Sequence, residues 1–218
     1  RYRVRIDYRE LDSRQARDGA TPFRPGAPGG RLLLPAGWVP AATTGGMTSL
    51  EESLRQAPLG ITRRTARLSW QHALGEAWWL ATDLRRETRR GTRALPGTLG
   101  STGGNARAAL LPAPIDFTTR DIEIRLDYHG GGAAIQGGYR LGVFENGEAA
   151  LAWQNPFGGV TGWGAGTGYP GFGQLALEPG NRLHQAFVAG AWRPGPALRV
   201  SFDGQLGWLR QDEGFLPY

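Results

Sequence analysis

The chain contains no cysteine and no lysine, and only one methionine. Without cysteine these residues offer no disulfide, no thiolate metal site and no CxxCH attachment site for a haem. No run of 18 apolar residues occurs, so no helix of this chain is expected to span a membrane. A membrane-spanning strand is not excluded, because it needs only about 9–11 residues, half of them polar. No initiator methionine and no signal peptide precede Arg1, so the sequence reads as a mature chain or a segment. Histidine is also scarce, at three residues, and no HxH or HxxxH spacing occurs. No GxSxG context surrounds a serine. No catalytic, cofactor-binding or metal-ligating residue is therefore expected, no cofactor is assigned, and the chain is not read as an enzyme.

Because lysine is missing, all 25 basic residues are arginine, and the formal charge is +6. A basic chain can signal nucleic acid. Here the arginines alternate with acids, as in Arg125–Asp127 and Arg199–Asp203, and form no block. Paired charges on a solvated face explain that pattern better, and no nucleic-acid partner is expected. The 35 glycines and 15 prolines suit strands joined by many loops.

Residues 1–9 read RYRVRIDYR, with Tyr2, Val4, Ile6 and Tyr8 alternating against Arg1, Arg3, Arg5, Asp7 and Arg9. A period of two marks a β-strand with two unlike faces. The pattern returns at 63–72, 77–89, 117–128, 134–145, 183–192 and 198–211. It is clearest where Ile122, Ile124, Leu126 and Tyr128 oppose Asp121, Glu123, Arg125 and Asp127. The paired acids Asp121 and Glu123 have a spacing that would suit a glycosidase, but a charged lumen wall shows the same spacing.

The intervening segments alternate in length. Short turns fall at 73–76, 129–132 and 193–197, and long connections precede or follow each hairpin. Outer-membrane barrels have short periplasmic turns and long outside loops. The apolar face is therefore expected to meet lipid and the charged face a wet lumen. Tyr2, Tyr8, Trp70, Trp78, Tyr128, Tyr139, Trp192 and Trp208 are expected to form aromatic girdles near strand ends. A soluble β-sandwich is the competing arrangement, and the acids and arginines on nearly every second face weigh against it. The seven strands are expected to pair antiparallel in sequence order, as an open sheet. Thr48-Ser49-Leu50-Glu51-Glu52 predicts a capped helix over 49–57. Leu151–Trp153 and Gln174–Leu177 read as short strand pieces beyond the membrane. The glycine-rich stretch 158–173, with Trp163, Tyr169 and Phe172, lacks the Lys and the helix of a P-loop.

Several strings are more specific: TPFR (21–24), LPAGWVP (34–40), LRQAPLGITRRTARL (54–68), LLPAPIDFTTRDIEIRLDYHG (110–130), LAWQNPF (151–157), LALEPGNRLHQ (175–185) and QDEGFLPY (211–218). Together they resemble the MtrB/PioB family. The resemblance implies an all-β, antiparallel up-and-down transmembrane β-barrel of the bacterial cell outer membrane. It implies more strands than seven, so 1–218 is expected to be an internal or C-terminal segment of a single barrel domain. It further implies a structural, porin-like role: the barrel sheathes a decahaem c-type cytochrome inserted from the periplasm, with a second multihaem cytochrome outside, for extracellular electron transfer. An ordinary diffusion porin or substrate-selective channel is the alternative that pattern alone leaves open.

Overall fold

A computed structural model describes residues 1–16, 18–26, 30–102, 104–159, 172–211, 213, 214 and 216. In chain order the strands are β1 (Tyr2–Ala16), β2 (Ala20–Thr21), β3 (Arg24–Gly26), β4 (Arg31–Leu33), β5 (Arg55–Gln56), β6 (Leu59–Ala73), β7 (Trp78–Thr102), β8 (Asn105–Gly130), β9 (Ala133–Asn146), β10 (Ala150–Gln154), β11 (Phe172–Ala176), β12 (Asn181–Gly195) and β13 (Leu198–Arg210). The seven long strands form one sheet in the order β1-β6-β7-β8-β9-β12-β13. Every neighbouring pair is antiparallel. All seven expected strands are present and neighbour one another in sequence order. Among the described residues β1 and β13 do not pair, so the sheet is open.

Three tight connections lie at one end of this sheet. Leu74–Ala77 joins β6 to β7, with the Leu74 amide donating to the Trp78 carbonyl at 2.9 Å. Gly131 and Gly132 join β8 to β9 with φ of +56° and +76°. A two-residue hairpin with both φ positive matches the strand twist, and glycine adopts it without a Cβ clash. Pro196 and Ala197 join β12 to β13 after a register shift between Trp192 and Gly195.

Pairing brings like faces into register. Ile6, Leu68, Leu84, Ile122, Leu141, His184 and Trp208 form one continuous cross-strand row. The next row holds Val4, Trp70, Thr82, Ile124, Tyr139, Ala186 and Leu206. Many of these apolar side chains are exposed, Ile6 at 78% and Leu206 at 73%. A soluble sheet would bury such a face against a second layer. This sheet leaves it open along the same stretch of every long strand, as a face meant for lipid does. All eight aromatics expected on this face lie on it. Trp78 and Tyr128 pack at 4.8 Å beside the turns. Tyr8 and Tyr139 depart from the expected girdle position: both sit in mid-strand, Tyr139 hydrogen-bonded to His184 Nδ1, and His184 stacks on Trp208.

Two sequence expectations are corrected. The segment between the third and fourth strands is not a loop. β7 and β8 run on past their neighbours, pairing from Trp78–Tyr128 to Thr102–Asn105. Above Thr92, the last partner of β6, and Phe117, the last partner of β9, they form a two-stranded ribbon. The helix expected over 49–57 is a single turn, Leu50–Ser53, because the capping box does not form. Ser49 Oγ instead accepts the Val39 amide at 3.1 Å, and Arg55–Gln56 pairs with Ala20–Thr21. Among the described residues no helix is long and apolar enough to cross a membrane.

The buried core lies beyond the membrane stretch. Leu99, Leu111 and Ala113 of the ribbon pack with Phe23, Leu32, Leu151, Trp153 and Leu177. A small sheet, β11-β10-β4-β3, carries most of these partners, with β4 and β10 parallel. The two expected strand pieces are β10 and β11. The connections thus fold into a cap around the ribbon. Several resemblance strings meet there: Gln154 Oε1 accepts the Leu34 amide at 2.6 Å, the Trp38 indole donates to the Pro156 carbonyl at 3.0 Å, and Arg55 Nε donates to the Phe23 carbonyl at 2.6 Å. Most of the glycine-rich stretch, including Trp163 and Tyr169, and most of FLPY lie outside the described residues.

Candidate functional site

The candidate site is the charged face of the sheet. Strand alternation places Arg3, Arg5, Asp7 and Arg9 of β1 beside Arg63, Thr65, Arg67 and Ser69 of β6. Asp83, Arg85 and Glu87 of β7 and Arg125 of β8 continue the same wall. These residues line an open groove of about 770 Å³. It carries seven arginines against three carboxylates.

Most of these charges are tied to a neighbour. Arg67 donates to Asp83 at 2.7 Å, and the Ser69 hydroxyl donates to the same oxygen. Arg63, Arg85 and Arg89 converge on Glu87 at 2.8, 2.6 and 2.7 Å. Glu87 is 3% exposed, so one buried carboxylate holds three partly exposed guanidinium groups. Further along, Arg125 donates to Asp127 at 2.9 Å and Arg140 to Glu123 at 2.7 Å. Arg140 also reaches Gln185, which donates to Gln205 at 3.0 Å. A planar guanidinium with five donors can bridge acceptors on adjacent strands, which a lysine ammonium does less well. The absence of lysine thus acquires a local use. Partly exposed ion pairs contribute little to stability, typically about 0–1 kcal/mol each. Their effect here is to fix the direction of the side chains.

The paired acids Asp121 and Glu123 do lie on this face, but each faces an arginine: Arg85 at 3.4 Å and Arg140 at 2.7 Å. Both acids are thus engaged by guanidinium groups of adjacent strands on an open wall. Arg125–Asp127 forms as its spacing suggested. Arg199 and Asp203 form no ion pair among the described residues, because four residues of strand separate them by about 13 Å. The described residues contain no cluster of three or more metal-ligating side chains. Arg3 and Arg9 face the groove with no acidic partner among the described residues. That surplus could not be read from sequence, since it depends on cross-strand register.

A sheet with one lipid-compatible face, one hydrated charged face, and tight turns at one end is the wall of a transmembrane β-barrel. The profile of the family described as "Putative outer membrane beta-barrel porin, MtrB/PioB" matches residues 1–218. A relative from Shewanella baltica (strain OS185), "Outer membrane protein MtrB", is 26% identical over 215 residues, 99% of this chain. The chain spans 29% of that relative's length. The chain belongs to the MtrB/PioB family of outer-membrane, porin-like β-barrels.

Proposed function

We propose that residues 1–218 form part of a single barrel domain that sheathes a multihaem c-type cytochrome and so lets electrons cross the outer membrane. The arginine excess on the groove, seven against three carboxylates, is the observation that carries this reading. A haem-rich cytochrome presents propionates and surface carboxylates, and guanidinium groups bind carboxylates bidentately. The barrel then works without enzymatic chemistry. It shields the partner from lipid and holds it in line. The cap on the long-connection side offers a landing place for a second, extracellular multihaem cytochrome.

The same arginine excess also favours an anion-selective diffusion porin, and one experiment separates the two. The complete barrel is placed in liposomes that hold an electron acceptor inside, with a reductant outside. Barrel plus periplasmic cytochrome should give rapid transfer, and barrel alone should give none. Transfer by the barrel alone sinks the sheath reading. Failure of the pair, together with free passage of small anions, favours the porin.

A further inference from the structure

On the apolar face, each long strand changes from apolar to charged toward the cap. The first charged residue met is Glu10 on β1, Arg64 on β6, Arg86 on β7, Arg120 on β8, Glu145 on β9, Arg182 on β12 and Arg210 on β13. Five of the seven are arginines. The two acids are already engaged, Glu10 by Arg64 at 3.2 Å and Glu145 by Arg120 at 2.7 Å. Arg86 and Arg182 are exposed and have no acidic partner among the described residues.

Register brings like charges together on this border. Arg86 stands directly opposite Arg120, and Arg182 directly opposite Arg210. Like charges opposite one another in a ladder are destabilising. Counted from the tight turns, Arg86 is the ninth residue of β7 and Arg210 the thirteenth of β13, with Arg120 and Arg182 within that range or one beyond it. A tilted strand crosses the hydrocarbon in about 9–11 residues. The collar therefore borders the apolar band on the long-connection side, which in outer-membrane barrels faces the outside.

We propose that this collar docks the phosphate groups of anionic lipids in the outer leaflet. The chemistry fits in sign, height and geometry: guanidinium forks match phosphate oxygens, and a headgroup is the anion present at that boundary. The apolar rows directly below would hold the same lipid's chains. The proposal rests on the apolar face meeting lipid, and its test separates the two claims.

The complete barrel is reconstituted in phosphatidylcholine vesicles doped with lipid A, then extracted in mild detergent. Co-purifying lipid is measured by native mass spectrometry. The parent should retain lipid A in preference to phosphatidylcholine. The Arg86→Gln/Arg182→Gln variant should lose that preference by about fivefold per arginine removed. Arg5→Gln, on the other face, should retain lipid A as the parent does. Heat-modifiable migration on a gel confirms that each variant is inserted. Should the double variant not fold, Arg182→Gln alone gives the same reading at about fivefold. Insertion with unchanged lipid A retention overturns the collar and leaves the lipid face standing. Displacement of lipid A by millimolar inorganic phosphate also overturns it, since that is a generic anion site. Failure of the parent to insert removes both.

Discussion

Leu126→Arg and Arg125→Leu are adjacent substitutions on opposite faces, and they should behave oppositely. Leu126 lies on the apolar face, 38% exposed, in register with Leu80 and Gly137. It is four residues from Gly130, the last residue before the tight turn. At about 3.3 Å per residue that is about 13 Å of strand. With a tilt of about 40° it becomes about 10 Å of height, close to the middle of an apolar band about 25 Å tall. An arginine at that depth costs about 2–4 kcal/mol. Arg125 loses its contact to Asp127 at 2.9 Å and a weaker one to Glu123 at 3.5 Å. Together these two contacts are worth about 1 kcal/mol on a hydrated wall, and a leucine there meets no lipid. The predicted gap is about 1–3 kcal/mol, which is roughly 5- to 150-fold in the folding equilibrium. Urea titration of the complete barrel in vesicles, read by tryptophan fluorescence and by gel mobility, measures it. Equal midpoints would refute the assignment of faces, and a larger loss for Arg125→Leu would reverse it.

Other substitutions probe separate parts of the structure. Glu87→Ala strands three guanidinium groups; breaking a buried pair costs about 3–5 kcal/mol, and the exposure of these arginines reduces the expected loss to about 2 kcal/mol, read as a shift in urea midpoint. Glu87→Gln should lose less, because an amide can still accept from one of them. Gly91→Ala forces a side chain onto a φ of +152° and brings a Cβ to 2.0 Å from the Gly60 carbonyl oxygen. Strain of that kind costs about 1–3 kcal/mol, and faster amide exchange at 59–62 should report it. Leu151→Ala empties a site that is 0% exposed and should cost the cap about 2–5 kcal/mol. Exchange should quicken at 150–154 and in the ribbon while the seven strands below stay protected.

The strands were legible because period-two alternation survives on both faces of a wall between lipid and water. Ile122, Ile124 and Leu126 cannot trade places with Glu123 and Arg125 without turning the strand over. The ribbon was not legible because its sequence carries Pro96, Pro112 and Pro114. Proline reads as a strand breaker inside a sheet, but a two-stranded ribbon has free edges, and a residue without an amide hydrogen is tolerated there. The helix over 49–57 failed for a tertiary reason, since Ser49 turns its hydroxyl to Val39. The alternation showed that arginines and acids share a face. It did not show that three arginines gather on Glu87 or that Arg86 opposes Arg120, because both depend on which strand lies next to which.

A ladder with no slip plane also behaves as a lever. Between Trp78–Tyr128 and Thr98–Ala108 the long hairpin pairs without a register shift. That stretch is about 66 Å of strand at about 3.3 Å per residue. Sliding one strand by a single residue would turn its apolar side chains toward the wet lumen and its arginines toward lipid along its whole length. A force applied to the cap is therefore not relieved by creep along the ribbon; it passes into the wall as a change of tilt. The cap's height is thereby tied to the wall, because β7 and β8 run unbroken from the ribbon to the tight turns at Leu74–Ala77 and Gly131–Gly132.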